Sequence, residues 1–129
     1  MKVTFYPNFE DISDPHGVEK LLKDLKSRYP RLWALVKEAI KDISRKEVTN
    51  LDDYVKTKWV SRLSHVSEPL YEFRIPPRAK GGVVRLYFAY MKDKGSIKIF
   101  SGEIKIGNGT ADAAKIQSAI QRYREEFEK

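Results

Sequence analysis

The chain has 129 residues, 41% of them hydrophobic and 33% charged. That balance is too apolar for a disordered segment, and the length suits one domain spanning 1–129. With no Cys and only two His, a disulfide framework, a thiolate zinc site and a Cys nucleophile are excluded, and a transition-metal centre is disfavoured. The 25 basic residues outnumber the 18 acidic ones, for a net charge of +7. No run approaches the roughly 18 apolar residues of a spanning helix, and the opening Met1–Asn8 is interrupted too early for a signal peptide. A cytoplasmic domain with no cofactor and no membrane association is expected.

Residues 2–6 alternate and predict a short first strand, stopped by Pro7. Asp11–Gly17 reads as a loop opened by Asp14-Pro15. Val18, Leu21, Leu22 and Leu25 recur at helical spacing and predict a helix over 17–28. Tyr29-Pro30 breaks it, because a residue before proline avoids the right-handed helical region. Pro30 suits the first turn of a second helix running to about 46, with Leu32, Trp33, Leu35, Val36, Ala39, Ile40 and Ile43 on its apolar face. The two helices form a hairpin. Thr49 or Asn50 could cap a short third helix through Tyr54, Val55 and Lys58, and Ser61–Pro69 reads as irregular.

From Leu70 the hydrophobic period changes to two. Tyr71, Phe73 and Ile75 share one strand face, with Glu72 and Arg74 on the other. Pro76-Pro77 ends that strand before a basic loop, Arg78–Gly82. In Val83–Met91, Val84, Leu86, Phe88 and Tyr90 take one face and Val83, Arg85, Tyr87 and Ala89 the other. Asp93-Lys94-Gly95 signals a hairpin turn. Ser96–Ile106 forms the next strand, with a bulge near Ser101-Gly102. Thr110 would cap a final helix carrying Ala113, Ile116, Ile120, Tyr123 and Phe127. The expected fold is α+β: a small antiparallel sheet, in β-α-α-(α)-β-β-β-α order, packed against helices.

The excess charge is concentrated. Residues 71–105 hold 8 basic side chains against 3 acidic, while residues 1–70 hold 13 against 11 and residues 106–129 hold 4 against 4. Such a concentration marks either a polyanion-facing surface or solubilising charge. If 71–75 pairs with 83–90, Arg74, Arg85 and Tyr87 converge on the open face of the sheet, and Lys105 joins them from the neighbouring strand.

Leu70-Tyr71-Glu72-Phe73-Arg74-Ile75 followed by Val84-Arg85-Leu86-Tyr87-Phe88-Ala89-Tyr90 resembles the paired strand motifs of the RelE/HigB superfamily of toxins, in its phage-derived HigB-like Gp49 branch. Ile99–Lys105 falls at that family's last-strand motif. The resemblance implies the toxin of a type II toxin–antitoxin pair, a ribosome-dependent mRNA endoribonuclease, with an antitoxin partner of helix-turn-helix type. It also implies that Arg74 and Arg85 hold and stabilise the scissile phosphate and that Lys105 is the first basic residue of the last motif.

Metal-independent RNA cleavage must deprotonate a 2′-hydroxyl, stabilise the phosphorane and protonate the 5′-oxygen. A two-histidine mechanism is hard to build from His16, in an Asp-Pro-His-Gly turn, and His65, in a polar loop. Cations with a tyrosine are the alternative: arginine grips phosphate with a planar fork, and Tyr87 could stack on a base or move a proton. Arg62, Arg78, Lys80 and Lys92 are candidates to track the RNA backbone. Each residue also has a plainer reading. A strand arginine is equally consistent with a solvated side chain or one paired with Glu72 or Glu103 across strands, Tyr87 with packing, and Trp33 and Trp59 suit the core. Glu103 sets an acid beside the patch that repels RNA unless a cation neutralises it. The competing functions are a non-catalytic RNA-binding module and a protein-interaction domain.

Overall fold

A computed structural model describes residues 1–6, 17–45, 48–52, 59–76, 83–105 and 112–128. The chain folds as an α+β domain with strands β1 (Lys2–Phe5), β2 (Val60–Arg62), β3 (Leu70–Ile75), β4 (Val83–Met91) and β5 (Ser96–Lys105), and helices α1 (Val18–Arg28), α2 (Pro30–Ile43) and α3 (Ala113–Phe127). Among the described residues no helix is long and apolar enough to cross a membrane.

The five strands lie in the order β1-β5-β4-β3-β2. Strands β2 to β5 pair antiparallel, but β1 runs parallel to β5, so the sheet is mixed rather than antiparallel throughout. The short β2 lies within a stretch whose polar composition predicts a loop; Val60 pairs with Phe73 and Arg62 with Tyr71. Residues 53–58 of the expected third helix and the segments 7–16 and 106–111 lie outside the described residues.

One face of the sheet carries the hairpin. Val18, Leu21, Leu22 and Leu25 of α1 and Leu32, Val36, Ala39 and Ile43 of α2 are buried, and they pack with Phe73, Ile75, Val84, Leu86, Phe88, Ile97 and Ile99 in one core. Pro30 occupies the first turn of α2 as expected. Leu35, placed by its spacing on the apolar face, is instead 43% exposed, because the buried stripe runs through positions 32, 36, 39 and 43.

The other face carries α3. Ile116, Ala119 and Ile120 pack with Leu63, Leu70, Tyr87, Ala89 and Phe100 in a second core. The helix starts at Asp112, whose side chain accepts the Ala114 N–H at 2.9 Å, a standard N-cap arrangement. The face expected to be open thus lies largely beneath a helix.

A β-bulge makes room for α3. Tyr87 pairs with Ser101 and Phe88 with Ile99, leaving Phe100 without a partner. Phe100 and Ser101 consequently both turn toward α3, where Ser101 Oγ donates to the Lys115 carbonyl at 2.6 Å. The 3₁₀ turn Lys92–Lys94 closes the β4–β5 hairpin on Gly95, whose φ of 57° favours glycine.

Gly102 lies close beneath α1. A Cβ there would stand 2.7 Å from Leu21 Cδ2 and 2.9 Å from the Arg85 carbonyl oxygen. The leucine can rotate away, but the backbone oxygen cannot. Gly102→Ala is therefore expected to cost about 1–3 kcal/mol, read as a lower urea midpoint; an unchanged midpoint would mean that β5 shifts freely.

Candidate functional site

Side-chain alternation places Glu72 and Arg74 of β3, Arg85 and Tyr87 of β4, and Ser101 and Glu103 of β5 on the α3 side of the sheet. The register aligns Arg74, Arg85 and Glu103 in one row and Glu72, Tyr87 and Ser101 in the next. Lys105 follows, opposite Val83. The expected convergence of Arg74, Arg85, Tyr87 and Lys105 on one end of one face is present, with two carboxylates among them.

Those carboxylates change the site. Arg85 is 8% exposed; its Nε lies 3.2 Å from Glu72 Oε1 and its Nη1 3.5 Å from Glu103 Oε1. Arg85 reaches diagonally to Glu72 because the residue directly opposite, Arg74, repels it. Arg74 turns outward and is exposed. Arg85 is thus held between acids, not free to grip a phosphate, which corrects the expectation for this residue. Its partners also resolve the objection to Glu103: the acid beside the patch is neutralised by the arginine.

Tyr87 is fully buried, beneath α3. Its hydroxyl, Arg85 Nε and Glu103 Oε1 make no well-aligned hydrogen bond, although the charged groups are close. Burial, followed by the negative charges of Glu103 and Glu72, pushes the Tyr87 phenol well above its usual range. A ring so covered cannot stack on an RNA base, and so reluctant a proton donor does not serve acid–base chemistry, so the roles expected for Tyr87 are withdrawn. It is a packing residue.

Glu103 also secures α3: its Oε2 accepts the Asp112 N–H at 2.8 Å, placing an anion at the helix N-terminus where the macrodipole favours it. Glu72 is less enclosed, its side chain 16% exposed. Burial raises its pKa above the usual carboxylate value, Arg85 and Arg74 pull it back, Glu103 adds to the rise, and the charge of His65 opposes it. Glu72 is thus a partly covered carboxylate with heightened proton affinity at the edge of an arginine pair, a kind of perturbation concentrated at functional sites. The sequence signal for it was available, since Glu72 shares the strand face of Arg74, but it reads there only as a pairing partner.

Lys105 is half-buried and borders a groove of about 270 Å³, together with Lys20, Asp24, Glu103, Asp112 and Lys115. His65 is exposed and lines a separate groove of about 520 Å³ beside α3, with Glu68, Gln117 and Arg124. Arg124 bonds Glu68 through Nε at 2.9 Å and Nη2 at 2.5 Å, tying the far end of α3 to the β2–β3 connection.

The two described RNA-tracking candidates, Arg62 and Lys92, do not gather. Arg62 sits at the opposite end of β3, where its Nη1 donates to the carbonyls of Leu63 and Leu70 at 2.9 and 3.1 Å and its guanidinium lies 5.8 Å from the Tyr71 ring. Lys92 belongs to the distant β4–β5 turn. Arg78 and Lys80 lie outside the described residues, as does His16. Among the described residues no group of three or more metal-ligating side chains converges.

Compared with protein-family models, curated proteins and solved structures, the chain matches none.

Two substitutions separate the contributions within the cluster. Arg85→Ala leaves the buried Glu103 and the partly covered Glu72 without their shared cation and is expected to cost about 3–5 kcal/mol, whereas Tyr87→Phe removes a hydroxyl that makes no well-aligned hydrogen bond and should stay within about 1 kcal/mol of wild type or gain stability. Chemical denaturation reads both; a large loss on Tyr87→Phe would show that the hydroxyl is well bonded.

Proposed function

We propose that the protein is a cytoplasmic, metal-independent endoribonuclease, the toxin of a toxin–antitoxin pair, cutting mRNA on the ribosome and held in check by a small antitoxin. The observation that carries this reading is Glu72: a carboxylate of raised proton affinity beside the Arg74–Arg85 pair, on the strand face where the toxin resemblance puts phosphate chemistry.

The roles differ from those expected of the motif. Glu72 takes the proton of the attacking 2′-hydroxyl, its raised pKa making it a better base than an ordinary carboxylate. Arg74, exposed at the rim, meets the phosphate and the charge that builds on it. Arg85 is a positioning residue that holds Glu72 from beneath. The 2′-oxygen forms a bond to phosphorus as the bond to the 5′-oxygen breaks, leaving a 2′,3′-cyclic phosphate and a 5′-hydroxyl. His65, whose charge reaches Glu72, is the available donor for the 5′-oxygen.

A second reading, RNA binding without cleavage, is favoured by one specific observation: the enclosure of Arg85 by two carboxylates removes the strongest phosphate-gripping cation of the patch.

Cleavage of mRNA on translating ribosomes separates the two. Glu72→Gln is expected to lower the cleavage rate by about 10²–10⁴-fold while remaining folded, since Arg85 keeps Glu103. Wild-type cleavage should rise with pH as Glu72 loses its proton, through a midpoint above the usual glutamate value. Glu72→Gln cutting at the wild-type rate would remove Glu72 from the chemistry, and wild-type protein that binds RNA without cutting it would establish the second reading. The same raised pKa has a stability sign: Glu72 favours the folded state in its protonated form, and that contribution is lost as pH rises through the folded pKa. Glu72→Gln should therefore lessen the loss of thermal stability that accompanies this rise, as a pH series of melting curves would record.

A further inference from the structure

The chain's second concentration of positive charge lies on neither the motif strands nor the α3 face. Helices α1 and α2 meet at Tyr29-Pro30, and the burial of Leu25, Leu32 and Val36 turns Lys23, Lys26, Arg28, Arg31 and Lys37 outward, all of them exposed. Between residues 23 and 37 these five cations face a single acid, Asp24. That acid is already engaged, 3.1 Å from Lys20 Nζ. Among the described residues none of the five cations forms an ion pair. Elsewhere the fold does pair surface cations with carboxylates, as in Arg45–Asp42 at 2.9 Å and Lys98–Glu126 at 2.7 Å.

Five like charges on the facing ends of two helices joined at Tyr29-Pro30 repel one another unless a polyanion neutralises them. The tip offers no fully exposed ring for stacking on bases. Trp33 and Tyr29 are half-buried against the core, and Lys37 Nζ stands 5.5 Å from the Trp33 ring centroid. Nor is there an apolar stripe to enter a lipid surface, since Leu35 is the one large hydrophobic residue of the described hairpin left exposed. Cations without stacking groups bind the sugar–phosphate backbone and carry no base information, which is how folded, double-stranded RNA is held. The hairpin covers the sheet face opposite Glu72, so the tip and the carboxylate face different ways.

We propose that the α1–α2 tip is a sequence-independent docking surface for the phosphate backbone of folded, double-stranded RNA. The inference shares an RNA partner with the function proposed above but does not need that function's chemistry, and its test reads binding alone.

The test measures fluorescence anisotropy of a labelled RNA hairpin, of a DNA duplex of matched sequence and of anionic phosphatidylserine vesicles, with wild-type protein and the triple variant Lys26→Glu/Arg28→Glu/Arg31→Glu. These side chains are exposed, so the variant should fold; the milder Lys26→Gln/Arg28→Gln/Arg31→Gln and a circular dichroism spectrum guard that point. Wild type is expected to bind the RNA hairpin at least as well as DNA, with the charge-reversed variant about tenfold weaker or more. Its log–log salt dependence should be shallower by about two to three, as the loss of three phosphate contacts requires. Equal binding by wild type and a folded variant would overturn the proposal, as would binding confined to DNA or to vesicles. A protein that cuts no RNA can still pass this test, and one that cuts RNA can still fail it.

Discussion

The fold is organised around an arginine in the middle of a sheet. Burying a guanidinium is costly unless its charge is matched on the spot, and Arg85 obtains a carboxylate from each flanking strand, Glu72 from β3 and Glu103 from β5. This requirement adds to the apolar residues in fixing the register of the three strands, since a slip of one residue would turn an acid to the wrong face. It also recruits α3, because the Glu103 carboxylate that neutralises Arg85 accepts the N–H that begins the helix. Strand pairing, charge burial and helix docking meet at one residue.

Much of this architecture is visible in the sequence, and its limits have a common cause. Period-two alternation identified which side chains of β3 and β4 share a face, and helical spacing located α1, α2 and most of α3. Alternation says nothing, however, about what covers a face. The apolar positions of α3 demand a partner surface, and Tyr87, Ala89 and Leu70 supply it, yet nothing local ties these distant segments together. The same holds for β1, whose pairing with β5 spans most of the chain. It also holds for β2, three residues whose strand character comes from the neighbour they join rather than from their own composition. For the candidate site, the cluster of residues was legible and their exposure was not, so a patch read as cationic proves to be an ion network with acids at its centre.

Net charge is likewise a poor guide to presented charge. Within the basic segment 71–105, Arg85 is internalised and Lys98 is matched by Glu126. The α1–α2 tip, in a half of the chain that is nearly neutral overall, presents five cations without carboxylate partners among the described residues. Counting residues along the chain averages over what folding separates: which charges are spent inside the protein and which remain available to a partner.

The bulge in β5 bears on how such a fold tolerates change in length. Phe100 has no cross-strand partner, so its removal would leave Ile99 and Ser101 in ordinary alternation and every other side chain of the strand on its present face. Phe100 is nonetheless the ring against which Tyr6, Tyr123 and Phe127 pack, at centroid distances of 5.6, 6.3 and 6.3 Å. A single supernumerary codon therefore furnishes the aromatic seat of the C-terminal helix. Deleting that one residue would take the ring from beneath the helix while preserving the pleat of the strand.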